Sequence, residues 1–67
     1  MNLFVNSNFT EVPSEINTVG KLLDHLKVSR LGTGVGVNNR LIPNKNWDCT
    51  SLNDDDRIVI ISATYGG

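Results

Sequence analysis

The sequence predicts an α+β domain in which one helix packs on one face of a sheet. Three observations carry this reading. Val19, Leu22, Leu23 and Leu26 fall at i, i+3, i+4 and i+7, a single apolar stripe on a helix. Short apolar segments on either side of it, such as Phe9-Thr10-Glu11-Val12, alternate with the period of two that marks half-buried strands. Arg57-Ile58-Val59-Ile60-Ile61 is apolar on both faces, which places a last, long strand in the middle of the sheet. A hairpin, then a helix, then further strands is the pattern of helix-on-sheet α+β domains.

The elements follow in order. Leu3-Phe4-Val5, bounded by asparagines, predicts a first strand over residues 2–6. Asn6-Ser7-Asn8 is turn chemistry, because Asn and Ser bond their own backbone and Asn tolerates positive φ. Phe9–Val12 returns as the second strand of a hairpin, and Pro13 ends it by removing a donor. Thr18 is placed to cap the helix. Lys21 and Asp24 lie on its wet side, Lys27 and Arg30 suit its C-terminal dipole, and Gly32 closes the segment. Val35 and Val37 alternate with Gly34 and Gly36, a third strand with one bare face. Asn38-Asn39 supplies a tight turn into Arg40-Leu41-Ile42, which Pro43 stops at a sheet edge. Residues 43–47 read as a single helical turn or loop that folds Trp47 back onto the core. Asp54-Asp55-Asp56 reads as a solvated acidic turn into the last strand, residues 57–62. By parity Leu3, Val5, Ile58 and Ile60 face the core. Phe4, Val59 and Ile61 face away from it.

Size and composition bound the function. Sixty-seven residues make one domain, 1–67. A chain so small hides only about 60% of its unfolded surface. The single cysteine, Cys49, allows no internal disulfide, and the single histidine, His25, has no Cys or His close by to hold zinc. A lone thiol suits a reducing compartment. The segment Met1–Asn6 has neither the basic nor the long apolar region of a signal peptide. No stretch reaches the roughly 20 apolar residues that cross a bilayer. The expectation is a cytoplasmic protein with no membrane partner. A net charge of −1 with scattered cations argues against nucleic acid.

No catalytic set is visible. Gly34-Val35-Gly36 is not followed by a helix that could meet a phosphate, so it reads as a bare strand face. His25 lies on the flank of the helix stripe with no base, nucleophile or metal partner spaced to meet it. Cys49 reads as a small, partly buried apolar residue, since no neighbouring cation or histidine would lower its pKa. The sequence instead ends on Tyr65-Gly66-Gly67. A glycine pair after a strand offers backbone freedom and no Cβ, so a flexible tail over 63–67 could thread a narrow channel. Its one reactive group would be the terminal carboxylate of Gly67.

Taken together, these residues resemble the ThiS-like family, the small ubiquitin-like sulfur carriers of thiamine biosynthesis, over nearly the whole chain. Val35-Gly36-Val37-Asn38-Asn39-Arg40-Leu41-Ile42-Pro43 resembles that family's apolar strand, asparagine turn and valine- or isoleucine-proline. Trp47 follows Pro43 by four, Asp54-Asp55-Asp56-Arg57-Ile58 resembles its turn into the last strand, and Gly66-Gly67 resembles its ending. Two departures stand out. Asp55 occupies a position where glycine is usual, and aspartate is among the few residues that tolerate a left-handed turn. Tyr65 stands where smaller residues are common.

The resemblance implies a β-grasp fold, a mixed sheet of about five strands. It implies no resident cofactor and no enzymatic activity. A ubiquitin-activating-like adenylating enzyme, using its own ATP and Mg²⁺, would adenylate Gly67. A cysteine desulfurase or similar donor would supply sulfur, and thiazole synthase would receive it. The free carrier would be a monomer. Gly66 and Tyr65 would thread the partner's active site, and Phe4, Val59 and Ile61 would dock it. The small subunit of molybdopterin synthase shares fold, tail and thiocarboxylate, but tends to carry prolines before its glycines, and residues 62–65 have none. A modifier joined to lysines and a β-grasp binding module remain as alternatives.

Overall fold

In the computed structural model, which describes residues 1–62, the elements are β1 (Asn2–Val5), β2 (Asn8–Glu11), α1 (Val19–His25), β3 (Thr33–Val37), β4 (Arg40–Ile42), a 3-10 helix (Asn44–Cys49) and β5 (Arg57–Ser62). The expected tail, 63–67, lies outside the described residues. The strands lie in the order β2-β1-β5-β3-β4. β1 runs parallel to β5, and every other neighbouring pair is antiparallel. The sheet is therefore mixed, with β5 central and β4 at an edge.

The first hairpin turns more tightly than the expected strand over 2–6. Asn6 (φ 51°) and Ser7 (φ 70°) both adopt the left-handed region, so β1 ends at Val5 and β2 begins at Asn8. Two positive-φ residues match the strand twist in a two-residue turn. Asn38 (φ 51°) and Asn39 (φ 68°) repeat the device between β3 and β4. The parity expectation holds. Leu3, Val5 and Ile58 are buried, and Ile60 packs partly buried against the same core.

Helix α1 lays Val19, Leu22 and Leu23 onto that core, and the Thr18 hydroxyl accepts the Lys21 N–H at 3.2 Å. Its end departs from the expectation. The helix stops at His25 because Lys27 turns left-handed (φ 59°), five residues before Gly32. The Val28 N–H reaches the Leu23 carbonyl at 2.9 Å and the Lys27 N–H reaches that of Asp24 at 3.1 Å. This reverse turn satisfies two orphan carbonyls of the last turn. Arg30, expected in the helix's last turn, lies beyond it. Its guanidinium pairs with Asp24 at 3.2 Å and Asp48 at 3.0 Å, so it ties the helix to the 3-10 segment. The hydrogen bonds from Arg30 hold the Asp48 carboxyl below its ordinary pKa. A Cβ on Gly20 would overlap the Asp48 carboxylate, which explains a glycine inside a helix.

Trp47 is buried, and its indole Nε1–H donates to the Ile42 carbonyl at 2.9 Å, as expected of a core lid. Cys49 corrects the reading of a partly buried residue. Its thiol is exposed at the end of the 3-10 helix, with Sγ 3.4 Å from the Asn46 carbonyl. Trp47 fills the inward position of that short helix and leaves Cys49 on the outside. Among the described residues no helix is long and apolar enough to cross a membrane.

A lysine in the left-handed region costs roughly 1–2 kcal/mol that glycine avoids. Lys27→Gly is therefore expected to stabilise the domain by about 0.5–1 kcal/mol, after the entropy that glycine loses. Urea denaturation checks this, and an unchanged or lower midpoint would contradict the assignment of the helix end.

Candidate functional site

The sheet has a covered face and an open one, and β5 decides what the open face carries. Arg57, Val59 and Ile61 point outward along it. Phe4 stands beside Arg57 across the β1–β5 pair. Gly36 lies opposite Val59, and Gly34 opposite Ile61. The structure thus brings Phe4, Val59 and Ile61 to one face, with Val59 and Ile61 46% and 65% exposed. Two further residues extend it. Leu41 lies opposite Gly36 and is 77% exposed. Phe9 lies opposite Phe4, their rings edge to face at 5.8 Å. Period-two alternation put Phe9 in a strand, and the asparagine turn before Leu41 and Pro43 after it put Leu41 in another. Only the cross-strand register sets them beside Val59 and Phe4.

Two asparagine side chains hold β5 in place. β1 pairs with β5 only at Phe4–Arg57 and Val5–Ile58 before the chain turns away. Asn6 then continues the ladder. Its backbone N–H donates to the Ile58 carbonyl at 2.8 Å, its Oδ1 accepts the Ile60 N–H at 2.8 Å, and its Nδ2 donates to the Ile60 carbonyl at 3.3 Å. Asn38 does the same at the other end. Its backbone N–H donates to the Arg57 carbonyl at 2.8 Å and its Oδ1 accepts the Arg57 N–H at 2.9 Å. The Asn38 Nδ2 donates to Asp56 Oδ1 at 2.9 Å.

That contact corrects the reading of Asp54-Asp55-Asp56 as a solvated turn at Asp56 alone, since Asp54 and Asp55 are exposed as expected. Asp56 is 9% exposed, and its second oxygen accepts the Asn53 N–H at 2.8 Å. Asp54 Oδ1 accepts the Asn2 N–H at 2.9 Å, which ties the turn to β1. Asp55 serves the turn by its backbone, at φ 69°, the left-handed conformation expected there, and the Asp56 N–H closes the turn on the Asn53 carbonyl at 3.2 Å. Triple acidity gave no hint that Asp54 and Asp56 accept backbone N–H groups or that Asp56 is buried.

His25 is exposed on the last turn of α1. Among the described residues no three His, Cys, Asp or Glu side chains are grouped to hold a metal ion. Tyr65, Gly66 and Gly67 lie outside the described residues. β5 ends at Ser62, so the open face lies on the strand that leads into them.

A mixed β2-β1-β5-β3-β4 sheet with one helix on one face defines a ubiquitin-like β-grasp domain. The sequence pattern of the ThiS family matches residues 3–67, and the chain belongs to this family of small sulfur carriers. The crystal structure of the thiamine biosynthesis protein ThiS from Geobacter metallireducens superposes at a TM-score of 0.83 and 29% identity, each chain covered over 100% of its length. The solution structure of a thiamine biosynthesis protein from the same organism superposes at 0.82 and 29% identity, over 100% of this chain and 88% of that one. No curated protein matches the chain.

Asn38→Ala removes a donor from the buried Asp56 carboxylate and an acceptor from the Arg57 N–H. The expected cost is about 1–3 kcal/mol in denaturant unfolding. A loss no larger than that of an ordinary surface substitution would show that the clamp contributes nothing.

Proposed function

We propose that this chain is the protein substrate in a sulfur-transfer sequence of thiamine biosynthesis, and that its reacting group is the Gly67 carboxylate. The observation that carries the reading is the family match, which runs through Gly66 and Gly67. A free carboxylate is a poor acceptor for a nucleophile. A ubiquitin-activating-like partner converts it to an acyl-adenylate with ATP, which supplies AMP as a good leaving group. The outer sulfur of a persulfide on a cysteine desulfurase or similar donor attacks the acyl carbon and expels AMP. A second thiol then cleaves the S–S bond of the acyl disulfide, leaving a thiocarboxylate on Gly67 and a disulfide on the donor side. The resulting thiocarboxylate gives its sulfur to thiazole synthase. ATP, Mg²⁺ and the catalytic groups belong to the partners, and the carrier works in the cytoplasm.

The carrier's own contribution is presentation. Two glycines make few contacts, so a neighbouring surface must hold the tail in place while it reacts. Exposed apolar surface of this kind usually marks an interaction site. The face with Phe4, Val59 and Ile61 lies on the strand that leads to the tail, and it supplies that docking surface.

Deleting Gly67, or adding one residue after it, is expected to abolish thiocarboxylate formation while the circular dichroism spectrum stays that of the parent. Intact-mass measurement reads the exchange of one oxygen for one sulfur. Normal loading of the extended chain would sink the assignment of Gly67.

Val59→Asp and Ile61→Asp are each expected to weaken binding to the adenylating enzyme by roughly 2 kcal/mol, the loss typical of a hot spot. Both positions are exposed, so the fold should survive. Unchanged affinity in both folded variants would remove this face from the interaction.

A further inference from the structure

Among the described residues nothing explains Gly34 and Gly36. Glycine weakens a strand, and its usual reasons are a left-handed backbone, a bulge or the close approach of another group. Among the described residues only Gly32 is a glycine with positive φ. β3 pairs with β5 in unbroken register through both positions. A Cβ built on Gly34 would come no nearer than 4.0 Å to another atom, the Ile61 carbonyl oxygen. On Gly36 the nearest would be the Arg40 carbonyl oxygen at 3.5 Å. Both are ordinary contact distances, so alanine would fit at either site.

What the two glycines leave is a groove of about 190 Å³ on the open face, floored by Gly34 and Gly36 and walled by Leu41, Val59 and Ile61. On the other side of Val59 lies a second depression of about 390 Å³, where Arg57 stands with Phe4, Ser7 and Asn39. Both ion pairs among the described residues use Arg30, and Arg57 forms none. A guanidinium matches a carboxylate in bidentate geometry.

We propose that the open face docks a protein surface carrying one bulky apolar side chain, which rests on Gly34 and Gly36, and one carboxylate, which pairs with Arg57. Counting along β5, the two groups are about 10 Å apart, three strand residues. The occupant is the adenylating enzyme of the proposed function, and the inference rests on that reading. Gly34 and Gly36 are there for this partner, at a cost to the strand. Arg57 orients the docked carrier, so that an enzyme without the acid in register binds it less well.

The test uses the full chain and its cognate adenylating enzyme, with pyrophosphate release giving KM and kcat for the carrier at several ionic strengths. Gly36→Val fills the floor. The double variant G34A/G36A adds only the two Cβ atoms for which room exists. Each should melt at a temperature no lower than the parent, the alanines raising it by roughly 2–8 °C. Gly36→Val should raise KM roughly tenfold with kcat little changed. Arg57→Glu should raise KM by a similar factor and remove its rise with salt, and Arg57→Lys should restore part of the salt dependence. A wild-type KM in folded Gly36→Val, or an intact salt dependence in Arg57→Glu, overturns the proposal. A concentration-dependent dimer in sedimentation that Gly36→Val abolishes assigns the groove to a second copy and overturns it too. A parent chain that the enzyme does not adenylate at all refutes the proposed function, and with it the occupant named here.

Discussion

Strand β5 is the one element through which the two hairpins meet. β1–β2 lies on one side of it and β3–β4 on the other, with no direct pairing between them. Remove β5 and the sheet becomes two isolated hairpins, each marginal in water. A single core in a domain of this size supplies only ~3–5 kcal/mol. The pairing of β5 therefore cannot be left loose. It is secured at both ends by side chains from the turns of the two hairpins. Asn6 extends the short parallel ladder by mimicking a strand residue, and Asn38 closes the antiparallel one against buried Asp56. Each asparagine also occupies the left-handed turn position that ends its own strand. One residue type thus makes the turn and fastens the neighbouring strand.

The same strand separates two chemistries. Its inward residues, Ile58 and Ile60, join Leu3, Val35, Leu22 and Leu23 in the core. Its outward residues, Arg57, Val59 and Ile61, stay accessible because no element among the described residues covers that face. Helix α1 and the 3-10 helix both lie on the other side, joined by Arg30 across Gly20. That ion pair is largely exposed and adds little energy by itself. Its effect is geometric: it keeps the covering layer over the core, where Trp47 closes the gap. A carrier needs this asymmetry. The covered face makes the domain stable, and the open face leaves a surface on the strand that leads to the C-terminus.

Much of this was legible in the residues alone, because it is local. A stripe at i, i+3, i+4 and i+7, alternation in Phe9-Thr10-Glu11-Val12, the short apolar run Leu3-Phe4-Val5 and paired asparagines between short strands each act over a few residues. They determined the element order, the inward and outward sides of β1 and β5, the central place of the last strand and the edge place of the one before Pro43. The Gly66-Gly67 ending and the Val35–Pro43 segment pointed to the family without any fold at all.

Tertiary structure decided what depends on distant partners. Asn6 and Ile60 are 54 residues apart, and no local pattern announces that they bond. Asp56 reads as one of three solvated acids until Asn38 and the Asn53 N–H converge on it. Phe9 and Leu41 join the open face only through register, and Cys49 is turned outward because Trp47 takes the inward place. The helix ends at His25 with Lys27 in the left-handed region, a reversal that lets Val28 pack partly buried against the core. Local sequence sets what each segment can become. Long-range pairing and burial select among those options, since their free energies exist only once the segments meet.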